Sequence, residues 1–212
     1  MGSNSVLLLV ARREAGDWRV LQEATWVTAL GEGTKTTGIL KEPNQQATLA
    51  ALKEAKALAD QVGPHEWRAG GTMALRIADN APEFLARAEA QGTPVEIVSG
   101  EDEAALGFEA VATDPLFSAE SRLSIIDPGG QSTELVLARR TDHGWEPEFR
   151  KSFPVGALGL RETLMSDPAP DAAARFRATA HLDNLLEDVP SGLEAGRVVA
   201  LGATGTNLIS IR

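Results

Sequence analysis

The stretch Ser124–Ala138, SIIDPGGQSTELVLA, constrains the fold more than any other part of the sequence. An apolar segment runs into an acid, Asp127, and the loop after it contains glycines, a glutamine and two hydroxyl side chains. A second acid, Glu134, then opens another apolar segment. Small residues let backbone N–H groups converge on one anion, and hydroxyl groups add further donors. The pattern predicts a strand–loop–strand hairpin whose loop binds phosphate.

The two acids predict a metal ion at the same loop. A carboxylate beside phosphate-binding N–H groups is repelled by the phosphate unless a cation lies between them. Mg²⁺ suits this place, because it takes one or two carboxylates together with phosphate oxygens and water. We therefore predict that Asp127 and Glu134 bind Mg²⁺, or Mn²⁺ in its place. The alternatives are a turn-capping role for Asp127 and an ordinary surface position for Glu134.

Two further loops have a similar composition. Gly2-Ser3-Asn4-Ser5 precedes the apolar segment Val6–Val10, and the sequence GATGTN at 202–207 follows the apolar segment Arg197–Leu201. Glycine also occurs in ordinary tight turns, so each loop alone is equally compatible with a turn. Their recurrence beside predicted strands favours phosphate binding. The candidate phosphate-binding residues of the three loops are Ser3, Asn4, Ser5, Gly129, Gly130, Gln131, Ser132, Gly202, Ala203 and Thr204.

The composition is that of an ordinary globular protein, with 212 residues of which 43% are hydrophobic and 24% charged. This length suits one large domain or two small ones. A net charge of −10 argues against non-specific binding to nucleic acid, which needs a basic surface. There is no apolar segment long enough to span a membrane. The absence of cysteine and of a signal-peptide pattern predicts a cytoplasmic protein without disulfides.

The hydrophobic periodicity predicts two α/β halves joined by a polar linker at 113–122. We predict strands at 6–10, 18–20, 23–30, 66–70, 95–98, 123–126, 134–138, 148–153 and 197–201. Helices are predicted at 45–62, 80–91, 99–111, 159–165 and 172–186, with capping boxes at Asn80/Glu83 and Ser99/Asp102. The corresponding domains are residues 1–116 and 117–212. The three histidines show no metal-ligand spacing; they are His65, His143 and His181.

Six blocks of the sequence together resemble the Ppx/GppA phosphatase family of exopolyphosphatases and guanosine pentaphosphate phosphohydrolases. They are MGSNSVLLLV, GTMALRIADN, VEIVSGEDEA, IIDPGGQSTELVLA, FPVGALGLRE and VVALGATGTNL, which follow the family's order from residue 1 to 208. The resemblance implies the α/β actin-like ATPase superfold. Its two RNase H-like domains hold the active site in the cleft between them, and the second domain is expected to be incomplete here.

The resemblance also implies an activity and roles for individual residues. Family members use Mg²⁺ or a similar ion to release terminal phosphate from inorganic polyphosphate or guanosine pentaphosphate. Glu103 then matches the general base that activates water, while Thr72 and Arg76 match a phosphate-binding block. These residue types suit the chemistry, since a carboxylate can take a proton from water and arginine binds phosphate in a bidentate manner.

The sequence departs from the family pattern in four ways, and alternatives therefore stay open. The acid and strand expected before Gly2 are absent, and the family's second domain continues beyond the GATGTN block. Pro128 removes a backbone donor, Gln131 places a side chain where phosphate must approach, and Gly159 replaces an arginine. The alternatives are a catalytically impaired polyphosphate- or nucleotide-binding paralogue and a kinase of the same superfold. Incomplete domain edges would expose apolar surface, which favours association with a partner, for example as a homodimer.

Overall fold

The structure is a computed structural model that describes residues 1–63 and 66–210, with the backbone alone at 17, 203 and 207–209. His65 lies outside the described residues. The chain divides into two compact units, Met1–Val98 and Ser99–Arg212. Within the described ranges, no helix has both the length and the apolar character needed to cross a membrane.

The first unit combines a long antiparallel hairpin with a helical layer. Strands β1 (Ser5–Glu14) and β2 (Asp17–Val27) pair along their length, with a bulge at Val10 and Ala11, and the short strands β3 (Gly70–Gly71) and β4 (Glu96–Ile97) pair in parallel. The elements are β1 Ser5–Glu14, β2 Asp17–Val27, α1 Thr34–Thr37, α2 Glu42–Val62, β3 Gly70–Gly71, α3 Met73–Ile77, α4 Ala81–Ala90 and β4 Glu96–Ile97.

Helix α2 organises the core of the first unit. Its buried residues recur every three or four positions and include Leu49, Leu52 and Ala55, as the sequence periodicity predicts. Phe84 of α4 is fully buried in the same cluster. The helix begins three residues before the predicted start, because Pro43 is well tolerated in a first turn.

Three predictions for the first unit are wrong in detail. The segments 18–20 and 23–30 form one continuous strand, β2, which ends at Val27. Only Gly70–Gly71 is a strand in the region predicted at 66–70. Asn80 forms no capping box, since its side chain makes no cap hydrogen bond. It instead accepts from the Leu40 N–H (2.9 Å) and donates to the Leu40 C=O (3.0 Å), so a tertiary contact replaces the local one.

The second unit contains a four-stranded sheet of β5 (Arg122–Pro128), β6 (Thr133–Thr141), β7 (Gly144–Phe153) and β8 (Arg197–Ala200). The strand order is β7-β6-β5-β8. The pairs β5–β6 and β6–β7 are antiparallel, whereas β5 and β8 run parallel. A 3₁₀ turn at Pro115–Phe117 lies in the predicted linker. The elements are α5 Gly100–Ala112, β5 Arg122–Pro128, β6 Thr133–Thr141, β7 Gly144–Phe153, α6 Ala157–Thr163, α7 Ala172–Leu186, β8 Arg197–Ala200 and α8 Gly202–Ser210.

Helix α5 packs on this sheet. Its apolar residues Ala104, Phe108 and Val111 form one buried cluster with Leu123 and Ile125 of β5 and with residues of β6. The structural division therefore falls between residues 98 and 99. It differs from the predicted division at 116 and 117 by the placement of this helix. The predicted cap of α5 is confirmed, because the Ser99 side chain accepts from the Asp102 N–H at 3.0 Å.

Candidate active site

The two predicted metal-binding acids lie side by side in the second unit. Asp127, near the end of β5, is the cross-strand partner of Glu134, which lies near the start of β6. Directly opposed residues of neighbouring antiparallel strands have Cβ atoms about 5 Å apart. The loop between the strands closes tightly, since the Gly129 N–H donates to the Ser132 carbonyl at 2.9 Å. The hairpin predicted from the sequence is thus present, with both acids at its loop end.

The start of α6 holds the glycine loop by its carbonyl groups. The Ala157 N–H donates to the Gly129 carbonyl at 3.0 Å, and the Leu158 N–H donates to the Gly130 carbonyl at 2.8 Å. In a trans peptide the N–H points opposite to the C=O. The N–H groups of Gly130 and Gln131 therefore point away from α6. This orientation presents two adjacent donors on one side of the loop, as an anion site requires.

Gly156 makes this arrangement sterically feasible. A Cβ atom at this position would lie 2.5 Å from the Gly130 carbonyl carbon and 2.6 Å from the Gln131 nitrogen. The side chain of Gln131 is fully buried, and its amide donates to Glu162 at 3.4 Å. The prediction that this side chain lies where phosphate must approach is wrong, because burial against α6 removes it from the surface of the loop.

The carboxylate of Glu134 is almost completely buried. Its side chain is 2% exposed, and its Oε1 accepts a hydrogen bond from the Ser152 hydroxyl at 2.7 Å. Burial raises the pKa of Glu134 to about 7, and the charges of Glu103 and Asp127 add to this, while hydrogen bonds from Ser152 and Ser132 oppose it. Burial also raises the pKa of Asp127. The surface position considered for Glu134 is therefore wrong.

Glu103 reaches this cluster from α5. The half-buried residue precedes the buried Ala104, whose packing fixes the first turns of the helix against the sheet. Its charge acts on Glu134, which places the predicted base close to the predicted metal ligands. The second unit thus brings Glu103 close to two acids of a hairpin that lies much further along the chain.

The GATGTN segment forms the first turns of α8, so its prediction as a loop is wrong. Gly202 has a positive φ of 72° and opens the helix directly beside Asp127. A Cβ atom at Gly202 would lie 2.8 Å from the Asp127 Oδ1. The Thr204 hydroxyl donates to the Pro128 carbonyl at 2.7 Å. Only a glycine allows the helix to begin this close to the acid, and the N–H groups of Ala203 and Thr204 belong to its first turn.

The remaining predicted residues lie in the first unit. Ser3 is buried, and its carbonyl accepts from the Gly31 N–H at 2.7 Å, while the Asn4 carbonyl accepts from the N–H groups at residues 28 and 29. Asn4 itself is exposed and Ser5 is half-buried. A Cβ atom on Gly31 would contact both Ser3 and Ala74 of α3, which brings the first glycine loop close to that helix.

Thr72 and Arg76 belong to the same part of the first unit. Thr72 precedes α3, and its carbonyl accepts from the N–H groups at residues 75 and 76. The guanidinium of Arg76 donates to the Val98 carbonyl at 2.7 Å, which fixes one end of its side chain. The first unit therefore groups these two residues with Ser3.

The chemistry of the acid pair suits a divalent cation. Within residues 1–63 and 66–210, no cluster of three or more acidic or histidine side chains is arranged to hold a metal. Asp127 and Glu134 form no ion pair with the basic side chains in this part of the chain. A buried carboxylate beside a half-buried one, with no basic partner among the described residues, fits Mg²⁺, which uses few protein ligands and completes its coordination with phosphate and water.

Ser152 and Gly156 contribute to the site but were missed by sequence reasoning. Ser152 stands opposite Glu134 in the β6–β7 pairing. An alignment of the two strands could have found it, but a bulge at Leu137 and Ala138 shifts that register. The role of Gly156 depends on a contact with residues 129–131 that no local pattern reveals.

Fold and site define an α/β protein of the actin-like ATPase fold whose acids and glycine loops are typical of phosphoryl chemistry. The sequence model of the Ppx/GppA phosphatase family matches residues 9–211. The chain belongs to the Ppx/GppA phosphatase family, as the sequence blocks predict.

Solved structures share the fold of this chain. The chain is similar to a Ppx/GppA family member from Aquifex aeolicus, with 32% identity, a TM-score of 0.76, and coverage of 100% of this chain and 67% of that one. An exopolyphosphatase from Cytophaga hutchinsonii shares the fold at 22% identity and a TM-score of 0.90, with coverage of 100% and 67%. The PilM–PilN type IV pilus biogenesis complex matches at 14% identity and a TM-score of 0.59, with coverage of 100% and 82%. The chain thus spans about two thirds of the length of the first two proteins.

Proposed function

We propose that this protein is a Mg²⁺-dependent phosphohydrolase that releases terminal phosphate from inorganic polyphosphate or guanosine pentaphosphate. The observation that carries the proposal is the pair formed by the buried Glu134 and the half-buried Asp127, which lacks a basic partner in the described part of the chain and adjoins the glycine loop. Membership in a phosphatase family supports the reaction class.

Asp127 and Glu134 are the residues that would hold the metal ion. A bound Mg²⁺ supplies positive charge that neutralises phosphate oxygens and the developing negative charge. The N–H groups of Gly130 and Gln131, together with the first turn of α8, bind and orient the phosphate. Most of the acceleration of phosphoryl transfer comes from such positioning and neutralisation.

Glu103 is proposed as the general base that orients the attacking water and accepts its proton. Its half-buried position near Glu134 supports this role, because a base must lie within hydrogen-bond reach of the water it activates. The proton moves from the water to the carboxylate as the water oxygen attacks the terminal phosphorus. The bond between that phosphorus and the bridging oxygen breaks, so that phosphate is released and the bridging oxygen stays with the shortened substrate.

The residues of the first unit complete the proposal. Arg76, Thr72 and the loop at Ser3–Ser5 are proposed to bind phosphate, and the hydrogen bond from Arg76 to the Val98 carbonyl orients its guanidinium. A cytoplasmic location and a homodimer stay predictions from the sequence.

The test is phosphate release by the variant Glu103→Gln, measured with polyphosphate and with guanosine pentaphosphate. We expect a loss of turnover on the order of 10²–10⁴-fold, with binding of the same substrates retained. The matched control is Glu101→Gln, which changes an exposed glutamate on the same helix, paired with Arg150 at 3.8 Å. Equal turnover of the Glu103→Gln variant and the wild type would remove Glu103 from the base role. Binding without turnover in the wild type would favour the non-catalytic alternative.

A further inference from the structure

Asp127, Glu134 and Ser152 form a row across three neighbouring strands of the second unit. Glu134 of β6 is paired with Asp127 of β5 on one side and with Ser152 of β7 on the other. Side chains of directly paired residues point to the same face of a sheet. Glu134 therefore lies between an acid of like charge, which repels it, and a hydroxyl group that can donate a hydrogen bond to it.

The two acids of the row are held in different ways. The Oδ1 of Asp127 lies against the first residue of α8, since a Cβ atom on Gly202 would be only 2.8 Å from it. The side chain of Glu134 is one methylene group longer than that of Asp127, so it has more rotamer freedom to lose. Its Oε1 accepts a hydrogen bond from the Ser152 hydroxyl at 2.7 Å. This hydrogen bond restrains the far end of the glutamate side chain.

The backbone at Ser152 is itself held firmly in the sheet. The next residue, Phe153, is buried and is the cross-strand partner of Thr133. The Thr133 hydroxyl donates to the Val155 carbonyl at 2.6 Å, which ties the end of β7 to the start of β6. The position of the Ser152 hydroxyl is therefore set by the sheet and does not depend on the orientation of the glutamate.

The coordination chemistry of divalent cations gives this restraint a consequence for ion selectivity. Mg²⁺ requires nearly ideal octahedral geometry with oxygen ligands at about 2.0–2.1 Å, whereas Ca²⁺ accepts about six to eight oxygen ligands in flexible arrangements. Ca²⁺ also uses bidentate carboxylates, in which both oxygens turn toward the ion. A hydrogen bond on Oε1 disfavours that rotation of the Glu134 carboxylate. A restrained Glu134 therefore favours the smaller ion.

We propose that Ser152 is a positioning residue that holds the Glu134 carboxylate for a small divalent cation and thereby gives the site a preference for Mg²⁺ over Ca²⁺. The inference rests on the proposed function, because it requires that Asp127 and Glu134 bind the metal. Ser132 also donates to Glu134, but it lies in the loop that is proposed to bind phosphate, so Ser152 is the donor that the sheet provides. Groups that hydrogen-bond to metal ligands typically contribute about 10–100-fold to metal affinity.

The test measures the binding of Mg²⁺ alone and of Ca²⁺ alone to the full chain, without substrate. The Kd of each ion is obtained from Tm as a function of ion concentration for the wild type, Ser152→Ala and Ser152→Thr. Ser124→Ala is the matched control. Ser124 is buried in β5, its hydroxyl donates to the Ala195 carbonyl at 2.6 Å, and it lies on the face of the sheet opposite to Asp127.

We expect Ser152→Ala to bind Mg²⁺ about 10–100-fold more weakly and to lose much less affinity for Ca²⁺, so that its preference for Mg²⁺ falls. Ser152→Thr keeps the hydroxyl and should bind both ions as the wild type does, and Ser124→Ala should lower Tm without changing either affinity.

Two results would overturn the inference and leave the proposed metal site in place. One is an unchanged ratio of the two affinities in Ser152→Ala, since a merely structural role would weaken both ions alike. The other is a loss in Ser152→Thr as large as that in Ser152→Ala, because the hydroxyl would then not be responsible. A wild type that binds neither ion would instead overturn the proposed metal site together with this inference.

Discussion

Glu134 is an acidic side chain that is almost completely buried, and burial disfavours the charged form of a carboxylate. It is a carboxylate with 2% exposure, and the charges of Glu103 and Asp127 lie close enough to raise its pKa further. The hydroxyl of Ser152 offsets only part of this cost. Such an arrangement destabilises the ionised side chain unless a cation is bound, and it is therefore typical of a functional site.

The variant Glu134→Gln tests the energetic cost of burying the ionised Glu134. The measured quantity is the free energy of unfolding as a function of pH. The pKa rises from 4.5 in the unfolded chain to about 7 in the folded protein, so the folded state binds more protons between these values. The wild type therefore loses stability as pH rises from about 4.5 to 7, by at most about 3 kcal/mol. We expect Glu134→Gln to be more stable than the wild type at pH 8 and equal to it at pH 4. Chemical denaturation at both pH values, without divalent ions, measures the difference.

An exposed glutamate on α5 provides the control for this experiment. Glu109→Gln removes one negative charge of the same unit without touching the acid cluster. Its stability relative to the wild type should change little between pH 4 and pH 8. A stability difference for Glu134→Gln that does not depend on pH would contradict the expected cost of burial.

Among the secondary-structure elements, α6 determines how the glycine loop is presented. Its first N–H groups engage the loop carbonyls, and Gly156 leaves no room for a side chain against residues 129–131. We expect Gly156→Ala to displace the glycine loop. The atoms nearest to the new Cβ are backbone atoms of residues 129–131, which cannot avoid the clash by a change of side-chain rotamer. The cost in stability should be about 1–3 kcal/mol, with a loss of phosphate release that exceeds the loss of folded protein. Thermal unfolding and turnover per folded molecule measure the two effects.

Gly192→Ala is the matched control for the loop variant. A Cβ atom there meets nothing within 4 Å, although φ is +87°, so only backbone strain of about 1 kcal/mol is expected. Activity per folded molecule should stay at the wild-type value. If both alanine variants retain full activity, α6 does not position the loop for catalysis.

Elements with strong local signals could be predicted from the sequence, while those fixed by tertiary contacts could not. Helix α7 has the predicted bounds, 172–186, and the Ser99 cap of α5 is present. Asn80 failed as a cap because Leu40, distant in sequence, satisfies its amide. The GATGTN segment looked like a loop because small residues suit turns and the first turn of a helix equally well.

In the candidate site, too, the residues with a local sequence signal could be predicted, whereas those placed by tertiary contacts could not. Asp127 and Glu134 could be found because one hairpin contains both, and their proximity follows from strand pairing. The position of Glu103 beside them depends on how α5 packs on the sheet, which the sequence pattern alone does not determine. The family resemblance supplied that residue, and the structure adds Ser152 and Gly156, whose roles come from register and close packing.

At the scale of the whole molecule, we expect the binding of metal and of phosphate to stabilise the folded protein. Mg²⁺ and tripolyphosphate together should raise Tm by more than the sum of their separate effects, because Mg²⁺ reduces the repulsion between the acids and the phosphate, and the bound phosphate supplies oxygen ligands to Mg²⁺. A ligand at 100 times its Kd stabilises the folded state by about 2.7 kcal/mol. We expect Asp127→Asn to lose this synergy, whereas Asp142→Asn, in the exposed β6–β7 turn, should keep it. Thermal unfolding with each ligand alone and with both measures the synergy. Its full retention in Asp127→Asn would show that the metal binds without this acid, which would leave the pair Asp127 and Glu134 without the role proposed for it.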